Sequence, residues 1–479
     1  MHKKFVTNLG ILLFLNLLIK PFWILGIEPA VQARVGNDNF GEYFALFNFS
    51  FLLNILLDFG ITNFNNKNIA QNNHLLTKHF SSLFVLKLML AVIYIIVTII
   101  IGFFIGYDVR LTKLLLVLGL NQFLISMVLY MRSNLLGLHL FKVDSIVSVL
   151  DRIIMITICA MVLWGNFSGI QMDIMFFVYT QTIAYFLTAL IAFFIVVNKT
   201  TSLKLTWSLP FSLMILKKSF PFAILVLLMT FYNRIDAVML ERMLENGAYQ
   251  SGIYAKAYRL LDATNMIAYL FSIILLPTFS RMIKYKESVE QLVKLAFTLL
   301  ITLSVLVAFG CFFYSTEIMS LLYSEHVNET APVFAALMCC FVATSTTYVF
   351  GTLLTANGNL KELNIVAASG MIINVTLNLL LVPRMQALGS AAASLTTQFL
   401  TGLAQVLIVQ YNFRFRVNYR LLVTLLIFVT GVIAINLFSK TLHFSWMINF
   451  IFMITGCTIW AFAIRLLSIK SMFRIIKYG

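Results

Sequence analysis

The sequence predicts an all-α polytopic membrane protein with about fourteen transmembrane helices. Of its 479 residues, 61% are hydrophobic, 14% aromatic and only 11% charged, and the mean hydropathy is +0.95. Soluble domains carry about 25% charged residues. Apolar runs of about 20 residues, enough to cross a hydrocarbon core of about 30 Å, recur along the chain. The runs are continuously apolar rather than alternating, which selects helices that satisfy their own backbone over barrel strands.

The first expected span, 7–27, is too long for a cleavable signal, holds Lys20 and Pro21 and lacks a small-residue cleavage site. Spans at 40–60, 80–106, 111–135, 145–165 and 172–197 complete a first set of six. A connection at 198–218 follows, in which "LKLTWSLPFSLMILKK" mixes basic residues with Trp207 and Phe211. It reads as a helix lying in the cytoplasmic interface, with an ordinary linker packed on the protein as the alternative. A second set of six spans covers 219–240, 252–279, 289–314, 331–356, 360–382 and 388–411, and 419–439 and 445–468 add two more. The expected divisions are therefore 1–197, 198–218, 219–411 and 412–479, the last ending in a basic cytoplasmic tail. Pro21, Pro221 and Pro277 lie in or at the start of spans, where they allow bending or fix a kink. "GSAAASLTTQ", 389–398, has the small-residue composition of helices touching in lipid.

The net charge of +16 is topological rather than a sign of nucleic-acid binding. With the amino terminus cytoplasmic, loops on that side carry about 21 Lys and Arg against about 6 on the other, the positive-inside asymmetry. Both termini then lie in the cytoplasm, and the segment 315–330, with Glu317, Glu325 and Glu329 and no Lys or Arg, lies outside. The five cysteines are odd in number and without CxxC spacing, so free buried thiols are expected. The six histidines form no ligand spacing, and no nucleophile elbow, phosphate loop or dinucleotide motif is present. No cofactor, metal or enzymatic activity is expected.

Two features suggest a parallel repeat about an axis along the membrane normal. Gly41 with Tyr43, and Gly252 with Tyr254, put Gly-x-Tyr at the outer start of the helix after the first and seventh spans. The preceding spans each carry one cation about two thirds of the way outward, Lys20 and Arg234.

Three stretches, "GEYFALFNFSFLLNILLDFGITNF", "YNRIDAVMLERMLENGAYQSGIYAKAYRLLD" and "LNLLLVPRMQALGSAAASL", follow in that order across essentially the whole chain. In them the chain resembles the polysaccharide and lipid-linked oligosaccharide flippases of the multidrug/oligosaccharidyl-lipid/polysaccharide exporter superfamily. The resemblance implies two six-helix bundles around a central cavity plus two carboxyl-terminal helices. It also implies alternating access that moves an undecaprenyl-pyrophosphate-linked oligosaccharide from the inner to the outer leaflet of the bacterial cytoplasmic membrane. The implied partners are that lipid-linked oligosaccharide, membrane lipids and a glycan polymerase, with no nucleic acid.

A charge at the centre of a membrane helix costs about 2.5–3.5 kcal/mol. Lys20, Arg234, Lys256 and Arg259 all fall roughly 8–12 Å inside the outer boundary, and one hydrated cationic chamber accounts for them together. Facing such a chamber they keep water, pair with Asp236 and Asp262, and attract the pyrophosphate, for which the planar guanidinium fork suits Arg. Snorkelling from helix ends or permanent structural pairing is the alternative, and Asp262 in particular could serve to orient Arg259. Arg152, about 10 Å from the inner boundary, is a candidate to meet the lipid phosphate on uptake. Asp58 reads best as a cap or interhelical bond; with Asp236 and Asp262 it is also a candidate for ion coupling.

A drug exporter of the same superfamily would favour acidic residues in the cavity. A glycan polymerase or acyltransferase would show a large outer loop or a nucleophile and base. The nearest rival is a flippase for the lipid precursor of peptidoglycan, which would share fold, charge logic and carrier lipid.

Overall fold

Continuous apolar runs fold as helices throughout the computed structural model, which describes residues 15–16, 18–62, 65, 69, 75–138, 140–165, 171–200, 208–415 and 418–467. The start of the first expected span, linker residues 201–207 with Trp207, and the tail residues Lys470, Arg474 and Lys477 lie outside the described residues. Among the described residues there is no strand, and ten helices are long and apolar enough to cross a membrane. The chain divides into two compact units, Met1–Glu241 and Arg242–Gly479.

In the first unit a π-helical turn, Trp23–Ile27, leads into α1 (Glu28–Val35), α2 (Asn37–Leu52) and the short α3 (Ile55–Asp58). The long helices α4 (Leu75–Ile105), α5 (Val109–Gly137), α6 (Phe141–Trp164), α7 (Ile174–Val197) and α8 (Leu209–Met243) follow. Helix starts are marked by side-chain caps: Asp108 accepts from the Leu111 amide at 2.7 Å and Asp173 from the Phe176 amide at 2.6 Å. The core helix is α5, against which α2, α4, α6 and α7 all pack. Two thirds of its most apolar stretch is buried, against 28% in α4 and in α6. Polar residues inside the unit bond across helices, as Asn54 does to Gln122 at 2.9 Å and Asn65 to Ser133 at 2.8 Å.

Leu209 onward is continuous with the seventh span in α8, and Ile215 and Phe211 pack into a cluster with Leu76, Phe80 and Val196. On the same stretch Leu209, Leu213 and Met214 stay exposed, so it keeps one packed and one open apolar face.

The second unit comprises α9 (Gly247–Lys284), α10 (Glu290–Phe313), α11 (Ser315–Leu322), α12 (Val327–Asn357), α13 (Leu360–Phe413), α14 (Tyr419–Thr441) and α15 (Trp446–Ala463). Here α12 is the core helix, packed by α9, α10 and α13. α13 is a hairpin of two helices, broken at Gln386 with φ 52° and ψ −132°. Ser390 donates to Asn378 at 2.7 Å, whereas on a straight helix twelve residues would separate them by about 18 Å. The break therefore turns two expected spans back on each other. α14 and α15 pair at the edge and cover α10, with Phe428, Val432, Met453 and Cys457 against Ile301, Val305 and Tyr314. All five cysteines are free.

Candidate functional site

The first unit gathers charges around Arg152 on α6. Its guanidinium lies 5.5 Å from the Trp23 ring and 6.0 Å from the Tyr185 ring, and its Nε is 3.7 Å from Asp151. Glu28 and Tyr43 also act on it electrostatically. Trp23 is fixed in turn, stacked on Phe177 at 5.7 Å and donating to Glu28 at 2.8 Å. Tyr43 accepts a bond from Gln181 at 2.9 Å, so the first Gly-x-Tyr tyrosine is part of this surround.

Lys20 belongs to the same neighbourhood, where the charges of Arg152, Arg132 and Asp151 all act on it. Sequence depth placed Lys20 and Arg152 towards opposite membrane faces. Helix packing brings them together because the π turn directly after Lys20 packs against α6. Two carboxylates, Glu28 and Asp151, accompany these two cations, so the cluster is closer to neutral than a count of membrane cations suggests.

Arg234 is half-buried on α8 and directed at α2, with Nη1 3.4 Å from Asn48 Oδ1 and its guanidinium 5.1 Å from the Phe51 ring. Asp236, two residues on, is 1% exposed and has partners of its own. Asp58 sits beside Lys87, which is 1% exposed. The ammonium donates to Asp58 at 2.8 Å, to Ser126 at 2.7 Å and to the Leu57 carbonyl at 3.1 Å, and Asp58 also accepts from the Thr62 hydroxyl. Sequence depth sets Asp58 and Lys87 at a similar level on the cytoplasmic side, and packing makes them a direct pair across 29 residues.

In the second unit Gln250 to Arg259 are buried without interruption, so Lys256 and Arg259 are 4% and 5% exposed inside a packed helix. Both meet Tyr323, at the end of α11: Arg259 donates to its hydroxyl at 2.5 Å, and the Lys256 ammonium lies 5.2 Å from its ring centre. Lys256 also donates to the Glu325 carbonyl at 3.3 Å, and Glu325 and Glu329 act on its charge. Asp262, one turn further along α9, is half-buried and likewise engaged. The second Gly-x-Tyr tyrosine, Tyr254, is 1% exposed and stacked on Tyr258 at 5.6 Å.

The structure thus sets Lys20 within electrostatic reach of Arg152, and it joins Lys256 and Arg259 through Tyr323, Arg234 to α2 and Asp58 to Lys87. Trp23, Glu28, Tyr185 and Tyr323 are the participants that sequence reasoning missed. Only Trp23 and Glu28 carried a local signal, an aromatic and an acid within eight residues of an intramembrane lysine. Among the described residues no three His, Cys, Asp or Glu side chains gather as a metal site.

A family model described as "Polysaccharide biosynthesis protein" matches residues 5–283. No curated protein matches the chain. Among solved structures it is similar to the lipid II flippase MurJ in an inward closed conformation, at 14% identity and a TM-score of 0.72, covering 95% of this chain and 97% of that one. It is also similar to an inward-facing multidrug resistance MATE transporter of the MOP superfamily, at 14% identity and TM-score 0.58, covering 86% and 99%. A third likeness is to a MOP superfamily transporter from Pyrococcus furiosus whose binding pocket is described as reversed in polarity, at 15% identity and TM-score 0.54, covering 85% and 94%. These likenesses establish the fold, and the family model establishes the rest: the chain is a member of the polysaccharide biosynthesis protein family, built on the fold of the MOP superfamily transporters.

Proposed function

We propose that the protein flips an undecaprenyl-pyrophosphate-linked oligosaccharide from the cytoplasmic to the outer leaflet of a bacterial cytoplasmic membrane, by alternating access, for surface polysaccharide assembly. It acts as a transporter rather than an enzyme, with both termini cytoplasmic. The observation that carries this reading is the adjacent pair Lys256 and Arg259, each about one-twentieth exposed on a helix of a membrane-spanning unit. Burying two like charges side by side is costly, and an anionic substrate that both can hold is a reason to keep them. The diphosphate supplies that anion, and family membership supplies the link to polysaccharide. Arg234, Arg152 and Lys20 are the further cations assigned to the headgroup, and Asp58, Asp236 and Asp262 the carboxylates for pairing or ion coupling.

The likeness to the lipid II flippase over 95% of the chain favours a second reading, in which the same diphosphate carrier bears the peptidoglycan precursor. A drug exporter is less well supported, because the buried pair is cationic.

The test is reconstitution in vesicles loaded on one leaflet with a pyrophosphate-linked oligosaccharide lipid, following its arrival on the other. Wild type is expected to transport it, and well-folded Arg234→Ala and Arg259→Ala to transport it poorly. A folded wild type that moves the peptidoglycan precursor and not the repeat-unit lipid would select the second reading. Movement of neither would reject both.

A further inference from the structure

We propose that a cavity at the far end of the second unit from Arg259 binds the headgroup of a zwitterionic phospholipid, one that carries both a phosphate and a primary ammonium. The cavity, of about 290 Å³, lies where the connection from α9 to α10 meets the connection from α13 to α14. Lys286, Glu287 and Glu290 line it from the first side, and Phe413, Arg414 and Phe415 from the second. None of the cations assigned to the transported substrate belongs to it.

The position of the cavity points to lipid. At a rise of about 1.5 Å per residue, Lys284 at the end of α9 lies roughly 38 Å along the helix from Arg259, more than the thickness of a hydrocarbon core. By the charge asymmetry of the sequence this end faces the cytoplasm, the side on which basic pockets between membrane helices hold phospholipid headgroups. Tyr285, Tyr411 and Tyr419, all within a few residues of the cavity wall, are 64%, 85% and 74% exposed. Exposed tyrosines at the ends of apolar spans mark the headgroup level of a bilayer.

The chemistry of the wall selects the kind of headgroup. It carries two cations and two carboxylates, all exposed, a balance that favours neither a simple anion nor a simple cation but suits a ligand bringing both charges. Lys286 and Arg414 take the phosphate, and Glu287 and Glu290 accept from the ammonium. Phe413 and Phe415, half-buried with ring centres 5.5 Å apart, offer an apolar floor to the glycerol end and the first methylenes. Both cations also hold the left-handed conformation in which glycine commonly ends a helix, Lys286 at φ 58° and Arg414 at φ 52°. After α9 the Glu287 amide donates to the Met282 carbonyl at 2.8 Å and the Lys286 amide to the Ile283 carbonyl at 3.1 Å, a helix end that glycine would form with less strain. Local folding gives no reason for a long cation at either place, whereas one ligand in the cavity they share gives a reason for both.

The experiment adds short-chain lipids to the full chain in detergent and follows binding by calorimetry together with the unfolding midpoint. The probes are phosphatidylethanolamine, with both charges; phosphatidylglycerol, with only the phosphate; phosphatidylcholine, whose quaternary ammonium has no N–H to donate; and free phosphoethanolamine, the headgroup without chains. Wild type is expected to bind phosphatidylethanolamine most tightly. Lys286→Gly and Arg414→Gly are each expected to weaken that binding roughly two- to fivefold, the size of one exposed charge pair. Both should keep or raise the midpoint without lipid, because a strained backbone position is relieved, and a purely structural role for the cations predicts no such split. Glu287→Gln combined with Glu290→Gln is expected to shift preference towards phosphatidylglycerol, and it decides the matter if the glycine variants do not fold. Wild type that binds no phosphatidylethanolamine, or binds phosphatidylglycerol or phosphatidylcholine equally well, overturns the site, as does an unchanged preference in the double carboxylate variant. Free phosphoethanolamine that binds as tightly as the lipid overturns the lipid as occupant in favour of a soluble phosphate ester.

Discussion

Charged side chains inside this protein differ in how completely their surroundings satisfy them, and that difference sets what each substitution does. Lys87 is locked by one carboxylate, one hydroxyl and one carbonyl. Lys87→Ala strands Asp58, which is 26% exposed, and is expected to destabilise the protein by about 3 kcal/mol, the lower end for breaking a buried pair. The double variant Lys87→Met with Asp58→Asn removes both charges and is expected to recover much of that loss. Thermal unfolding midpoints in detergent check the order wild type, double variant, single variant; a single variant as stable as wild type would show that the pair contributes nothing. Arg152 is held by ring faces as well as by charge. Arg152→Lys keeps the charge but loses the planar surface, and a cation–π contribution of about 0.5–2 kcal/mol makes a roughly three- to thirtyfold loss of flipping the expected result. Full activity in the lysine variant would mean that charge alone suffices there. Lys20, Lys256 and Arg259 were legible in the sequence as charges out of place. Their partners were not, because Tyr323 lies 64 residues from Arg259 and touches it only through the packing of other helices.

At the scale of elements, the α13 hairpin is the most demanding local structure. A Cβ on Gly389 would stand 2.5 Å from the Leu381 carbonyl oxygen, a backbone atom that cannot swing aside. Gly389→Ala is therefore expected to splay the two arms and lower the unfolding midpoint. Gln386 carries the opposite lesson: it is exposed and adopts φ 52° and ψ −132°, a region that favours glycine. Gln386→Gly is expected to stabilise by about 1 kcal/mol through relief of backbone strain, read as a raised midpoint. A lowered midpoint would mean that the glutamine side chain holds the turn. The spans flanking this turn were plain in the sequence because each is a continuous apolar run. The linker was less so, since "LKLTWSLPFSLMILKK" has the composition of an interfacial helix, and only the packing of Phe211 and Ile215 shows the end of that stretch continuing into α8.

On the scale of the whole molecule, each unit is organised around one deeply buried helix, α5 in the first and α12 in the second, with less buried helices around it. α14 and α15 cover α10 through Phe428, Val432 and Met453, and Lys440 pairs with Glu317 beside Tyr314. Ending the chain after Asn418 is expected to lower the unfolding midpoint by stripping that cover while leaving pyrophosphate affinity intact, because the cation pair sits on α9. Loss of affinity in a folded truncated chain would place the pair under the control of α14 and α15. The sequence by itself determined the fold class, the order of the spans and the presence of intramembrane cations. Each of these is a local property: about 20 apolar residues cross a bilayer wherever they occur, and a charge among them stands out without reference to anything else. Tertiary structure alone decided which charges meet. Lys20 finds Arg152 through a π turn packed on α6, Lys87 finds Asp58 across 29 residues, and Tyr323 closes over Lys256 and Arg259. Such pairings depend on the rotation of each helix about its axis and on its choice of neighbour. Both are set by side-chain packing between segments far apart in the chain, and no local pattern encodes them.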